Sequence, residues 1–204
     1  MKYLMILAAS LIGTQAFAAG ETVEINPPAE GSISTEDALA AWDRIYEVAS
    51  HPRCSNCHVG PSNLPMWSGP SYGKARPHGM NINAGESRVG AEFVQCSTCH
   101  AYREIATGDR LEHSAPQVAM DWRLAPVEAE WFGKSSVEVC NQLRNPELNG
   151  DRDYLAIASH LDHDLILHWA WNPGAGREPA PYSLQEHVND VLAWGVGGMP
   201  CAND

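Results

Sequence analysis

The sequence predicts a mainly α, loop-rich fold in one domain. Three observations carry this. Apolar residues recur at helical spacing in several segments, each preceded by a capping or turn signal. No segment sustains the alternation of a half-buried strand. The intervening chain is broken up by many of the 17 glycines and 14 prolines in 204 residues. The hydrophobic fraction of 44% is that of a globular chain, neither disordered nor membrane-embedded. The formal charge of −12 leaves no positive excess to displace counterions from phosphates, which excludes nucleic acid bound through a basic surface.

The elements follow in order. Lys2, the apolar residues 3–12 and the small-x-small pattern Ala16-Phe17-Ala18 read as a secretory signal peptide over 1–18, cut after about Ala18. The apolar run is well short of the roughly 20 residues that span a bilayer, and no later run approaches that length, so no membrane insertion is expected. Residues 19–33, polar and holding Pro27 and Pro28, read as an N-terminal tail, and the folded domain is expected over 34–204. Ser34 with Asp37 resembles a capping box, and Leu39, Trp42, Ile45, Tyr46 and Ala49 continue it as a helix to about Ser50, stopped by Pro52. From Gly60 to Gly90 no helix or strand pattern survives, so this segment must be held by something other than backbone ladders. A second helix starts at Ser135 with Glu138 and stops at Asn145-Pro146. A third starts near Asp151, with Tyr154, Ile157, Ala158, Leu161 and Leu165 on one face. A fourth starts at Ser183 with Glu186, gathers Val188, Val191 and Leu192, and is expected to end at Gly195.

Two short motifs carry the chemistry. Cys54-Ser55-Asn56-Cys57-His58 and Cys96-Ser97-Thr98-Cys99-His100 are both C-x-x-C-H, the attachment signature of c-type haem. Two thiols at this spacing reach two vinyl groups on one porphyrin edge, and the following His turns beneath the ring to meet the iron. One zinc held by both C-x-x-C pairs is a rival, although the 38 residues between Cys57 and Cys96 exceed the usual spacing. Two redox dithiols are another, without the βαβ pattern that would frame them. Neither rival explains a His after the second Cys both times. The expectation is two covalently bound haem c groups, attached at Cys54, Cys57, Cys96 and Cys99, with His58 and His100 as proximal ligands. Only 37 residues separate His58 from Cys96, too few for each haem to own a conventional domain. The fold is thus expected to be c-type cytochrome-like, with two haems in one domain. The remaining cysteines, Cys140 and Cys201, are expected to pair in the oxidising compartment that export implies.

The far side of each iron decides carrier against enzyme. His or Met there closes the iron, and an open position permits small-molecule chemistry. His78 lies on a loop flanked by Pro77 and Gly79, with Met80 as the alternative two residues on. His160 flanks the apolar face of the third helix, ahead of His168 as second choice and of His163 on the polar back. His51 is close to its own attachment site and suits the other haem or a propionate. His78 and His160 are the expected distal ligands. Arg53, Lys74, Arg76, Arg103 and Arg123 are candidate propionate partners. Trp67, Trp122, Trp169 and Trp171 are expected to pack against haem.

The chain resembles a family of exported dihaem c-type cytochromes often catalogued as "isoquinoline 1-oxidoreductase subunit". The resemblance rests on His51-Pro52-Arg53-Cys54-Ser55-Asn56-Cys57-His58, His78-Gly79-Met80-Asn81 and Cys96 to His100. It continues through Leu124-Ala125-Pro126, Gly133-Lys134-Ser135, Gln142-Leu143 and Trp169-Ala170-Trp171-Asn172-Pro173-Gly174. It implies histidines as family features at His51, His78 and His160, with variation at His163 and His168. It also implies partnership with a molybdenum hydroxylase-type dehydrogenase. No pterin site and no iron–sulfur Cys₄ set is read in this chain, so its expected part is that of electron acceptor.

The function expected from the sequence is a soluble periplasmic dihaem cytochrome c, not an enzyme. It would carry electrons between a redox protein partner, a periplasmic dehydrogenase, and the respiratory chain. The acidic surface favours a basic docking face on that partner. The alternative is a small dihaem enzyme of peroxidase or oxyanion reductase type with one open iron.

Overall fold

The computed structural model describes residues 22–68, 74–101, 115–116, 120–173 and 177–202. The expected signal peptide and Arg103 lie outside them. Within the described residues the chain is mainly helical. Helix α1 spans Thr35–Ser50, and Ser34 caps it by accepting the Asp37 N–H at 3.1 Å and donating to the Asp37 carboxylate at 2.6 Å. Pro52 stops α1 but suits the first turn of a new helix, so the four-residue α2, Pro52–Ser55, follows at once. A further four-residue helix, α3, is Cys96–Cys99. Each therefore carries the start of one C-x-x-C-H motif.

Helix α4, Ser136–Arg144, and helix α8, Leu184–Val196, both begin with complete capping boxes, Ser135 with Glu138 and Ser183 with Glu186. Between them lie α5 (Pro146–Asn149), α6 (Tyr154–His163) and α7 (Leu165–Trp171). Two expectations need correction here. The third sequence helix breaks at Asp164, whose extended backbone ends α6 while its carboxylate accepts the Ile166 N–H at 2.8 Å to start α7. Leu165 therefore leaves the α6 face and is exposed, and His168 belongs to α7. The fourth helix runs through Gly195 to Val196. That glycine is there for a close approach: a Cβ would overlap the Tyr154 ring on α6.

The main core lies between α1, α4, α6 and α8. It holds Trp42, Ile45, Val139, Leu161, Leu184, Val188 and Trp194. Trp42 and Trp194 meet with ring centroids 5.0 Å apart, and their N–H groups are satisfied by Ser136 Oγ and the Pro200 carbonyl. Arg44 on α1 forks onto the buried Asp190 of α8 at 2.9 and 2.6 Å. Cys140 and Cys201 are joined within this core, with Cα atoms 5.9 Å apart. The segment read as a tail is docked where described: Val23 and Ile25 pack on the core, and Glu24 exchanges two backbone hydrogen bonds with the Gln185 amide.

The described residues between 51 and 134 form the irregular half. Besides α2 and α3, their regular pieces are the two-residue strands β1 (Met66–Trp67) and β2 (Arg76–Pro77), paired antiparallel, and a 3₁₀ turn at Gly79–Asn81. A second small core of Val59, Ala84 and Leu124, with Cys57, Met66 and Phe132 against it, sits beneath the first motif. No helix among the described residues is long and apolar enough to cross a membrane.

Candidate functional site

Arg88 organises the irregular half, and no sequence signal short of its Gly/Ser-rich turn points to it. Its backbone is in the left-handed region at φ 65, and its side chain is buried. The guanidinium donates to the carbonyls of Val59, Gly60 and Ala125 at 2.7, 3.0 and 2.8 Å and to Asn63 Oδ1 at 2.8 Å. This is the fastening that the missing ladders require. Removing it leaves buried carbonyls unpaired, so Arg88→Met should cost about 3 kcal/mol in urea unfolding. An unchanged midpoint would show that the loop is held otherwise.

Each motif turns its His toward a backbone oxygen. His58 Nδ1 is 2.9 Å from the Ala129 carbonyl, and His100 Nδ1 is 3.2 Å from the Pro116 carbonyl. Each imidazole also lies flat on an indole: His58 on Trp131 with centroids 3.5 Å apart, His100 on Trp122 at 4.5 Å. The His58 carbonyl accepts the N–H groups of Trp131 and Phe132, and the Trp131 indole donates to Gln142 on α4 at 2.8 Å. The first motif is thereby pinned to the helical core. Trp131 escaped sequence reasoning because one indole among seven tryptophans carries no motif.

Of the two residues expected on the far side, His78 shares this pattern, with Nδ1 3.0 Å from the Gly79 carbonyl; His160 Nδ1 lies 3.8 Å from the Asp164 carboxylate, beyond hydrogen-bond distance. An oxygen at Nδ1 selects the tautomer with its lone pair on Nε2, the arrangement that second-shell partners impose on metal-bound imidazole. Burial pulls both His58 and His100 down to about 4, so each is neutral at pH 7 with that lone pair available. His78 stands 6.2 Å from His100, ring centroid to ring centroid. Two imidazoles bonded to one first-row metal ion at about 2 Å each have centroids roughly 6 Å apart. His160 is close enough to His58 that its positive charge would oppose protonation there.

The other candidates are engaged differently. His51 caps α2: its Nδ1 accepts the Arg53 N–H at 3.2 Å, the opposite tautomer. His168 is turned inward, its Nε2 against the Leu161 carbonyl at 3.1 Å. Met80 sits at φ 59 at the edge of the site and is 77% exposed. His187, which the sequence did not single out, is buried on α8 beside Trp171 with ring centroids 5.5 Å apart, and burial lowers it to about 4.

A cleft of about 540 Å³ joins the two motifs, within the size range of small-molecule sites. Cys57, Cys96, Cys99 and His100 line it together with His78; Cys54 and His58 do not. Met66, Trp67, Ile82 and Leu124 make its walls apolar. Its charged lining is Arg53, Arg123 and Arg177, with no Asp or Glu. In a chain of formal charge −12, a cleft of arginines and apolar walls suits a flat apolar group with carboxylate substituents, which a porphyrin is. The rival chemistries fit less well. No three His, Cys, Asp or Glu side chains among the described residues gather into a metal-binding group, so the four motif sulfurs do not form one zinc cage. Burial pushes Cys54 up to about 12 and Cys57 up to about 11, the reverse of an activated redox dithiol. No protein-family model, no curated protein and no solved structure matches this chain.

Proposed function

We propose that the chain is an exported dihaem c-type cytochrome that carries electrons, of the kind catalogued as "isoquinoline 1-oxidoreductase subunit". Cys54 and Cys57 would hold one haem and Cys96 and Cys99 the other, each thiol S–H adding across a vinyl double bond to leave a thioether. The observation that carries this reading is the common posture of three imidazoles. His58, His100 and His78 each present Nδ1 to a backbone oxygen within hydrogen-bond distance and so keep Nε2 for a metal. His100 would pair with His78, whose ring is 6.2 Å away, and His160 is assigned to His58 as the remaining candidate. When bound, haem supplies reversible one-electron chemistry at iron.

The residues themselves do the rest. The carbonyls of Ala129 and Pro116 orient the proximal rings and make them better donors. His78 and His160, by filling the sixth positions, would close both irons to exogenous ligands and so favour a carrier over an enzyme. The Cys140–Cys201 bond fits an oxidising compartment. The partner would be a redox protein with a basic docking face, a periplasmic dehydrogenase being the candidate. Intact mass spectrometry of protein made with a haem-attachment system should give the processed chain plus two haem masses. One haem, none, or a zinc ion in their place would overturn the proposal.

A further inference from the structure

The two motifs differ in what stands behind them. Cys57, Cys96 and Cys99 all line the cleft, whereas Ser55, Ser97 and Thr98, which lie between the paired cysteines, do not. These three residues therefore show what each motif meets on the side away from the cleft. In the first motif that side is protein. Ser55 is buried, and its hydroxyl lies 3.1 Å from the carbonyls of both Ser50 and His51, where α2 packs on the end of α1. Val59 and Gly60, which follow His58, are buried too, and their carbonyls accept from Arg88. In the second motif that side is solvent. Ser97 and Thr98 are both exposed, and so is every residue of the run 91–95 that leads into α3. A c-type haem is bonded through the two vinyl groups on one porphyrin edge, so each pair of thioethers keeps that edge at its motif. The first motif holds its edge inside the molecule, and the second holds its edge at the surface.

We infer that the porphyrin attached at Cys96 and Cys99 is the electron port of the molecule, meeting the redox protein partner at the exposed face of α3, while the porphyrin attached at Cys54 and Cys57 exchanges electrons only with the port. This rests on the dihaem reading and goes beyond it by giving the two centres an order. Transfer between proteins falls off steeply with distance, which favours the centre whose edge reaches the surface. One electron passes from the reduced partner to the ferric iron of the port, and from the ferrous port to the ferric iron of the inner haem. No bond is made or broken and no proton moves. The cleft supports the second transfer, because Cys57 of one motif and Cys96 and Cys99 of the other line the same cavity.

The test uses the dihaem protein, with two haems confirmed by mass, and reads exposure without turnover. A soluble dysprosium chelate speeds the spin relaxation of a haem near the surface. One of the two ferric signals should be enhanced several-fold more than the other. The Cys96→Ala/Cys99→Ala variant should lose the strongly enhanced signal and keep the weakly enhanced one. His78→Ala, which leaves both attachments intact, marks the same haem by its change of spin state and serves if the cysteine variant fails to fold. In freeze-quenched parent protein given less than one equivalent of flavin semiquinone, the strongly enhanced signal should be the first to disappear. Equal enhancement in the parent, or strong enhancement of the haem at Cys54 and Cys57, overturns the port alone. Loss of the weakly enhanced signal first does the same. A single haem in the parent overturns the dihaem reading and the port together.

Discussion

In the proposed dihaem protein, replacing His78 by alanine is expected to turn one of two low-spin irons high-spin and open it to carbon monoxide, while the other stays closed. His160→Ala should do the same at the other iron, and the double variant at both. The expected size is about half the haem in each single variant, because each imidazole is assigned to a different proximal partner. The structural basis is the 6.2 Å approach of His78 to His100. Carbon monoxide difference spectra and electron paramagnetic resonance read the outcome directly. If His78→Ala stays low-spin and Met80→Ala opens the iron instead, the second site is His/Met and its potential should be the higher of the two. If both single histidine variants remain closed, the four-imidazole assignment is wrong.

Removing the Cys140–Cys201 bond should destabilise the fold by about 4 kcal/mol through the loop it closes, a sequence separation of 61 residues. For a chain of this size that corresponds to a fall of roughly 10 °C in Tm. The Cys140→Ala/Cys201→Ala variant measures it against the parent by thermal unfolding. Both residues are buried in the helical core and neither lines the cleft, so haem content should be unchanged. A Tm within about 2 °C of the parent would show that α4, α8 and the chain end are held by packing alone.

The helical half was largely legible in the sequence. Ser34, Ser135 and Ser183 announce their helices through hydrogen bonds to residues three positions on, and such local signals survive without knowledge of the fold. The break at Asp164 was less visible, because Leu161 and Leu165 keep helical spacing across it. Only the backbone shows that the Asp164 carboxylate caps a new helix there. Gly195 misled for a related reason: a glycine near a helix end reads as a stop, whereas here it admits the Tyr154 ring.

What the sequence determined by itself is whatever acts over a few residues. That covers the helix caps and the two C-x-x-C-H spacings. The leftover cysteine pair and the shortlist of histidines came from inventory in the same way. What only the tertiary structure decided depends on groups that have no sequence identity. The oxygens at His58 and His100 are backbone carbonyls of Ala129 and Pro116, and any residue supplies a carbonyl. Arg88 is distinguished from the other arginines only by three carbonyls and an amide brought together from distant loops. The same holds for the cleft, whose basic lining gathers Arg53, Arg123 and Arg177 from three separate segments of an acidic chain. Long-range convergence is set by packing, and packing is a property of the whole fold rather than of any window along it.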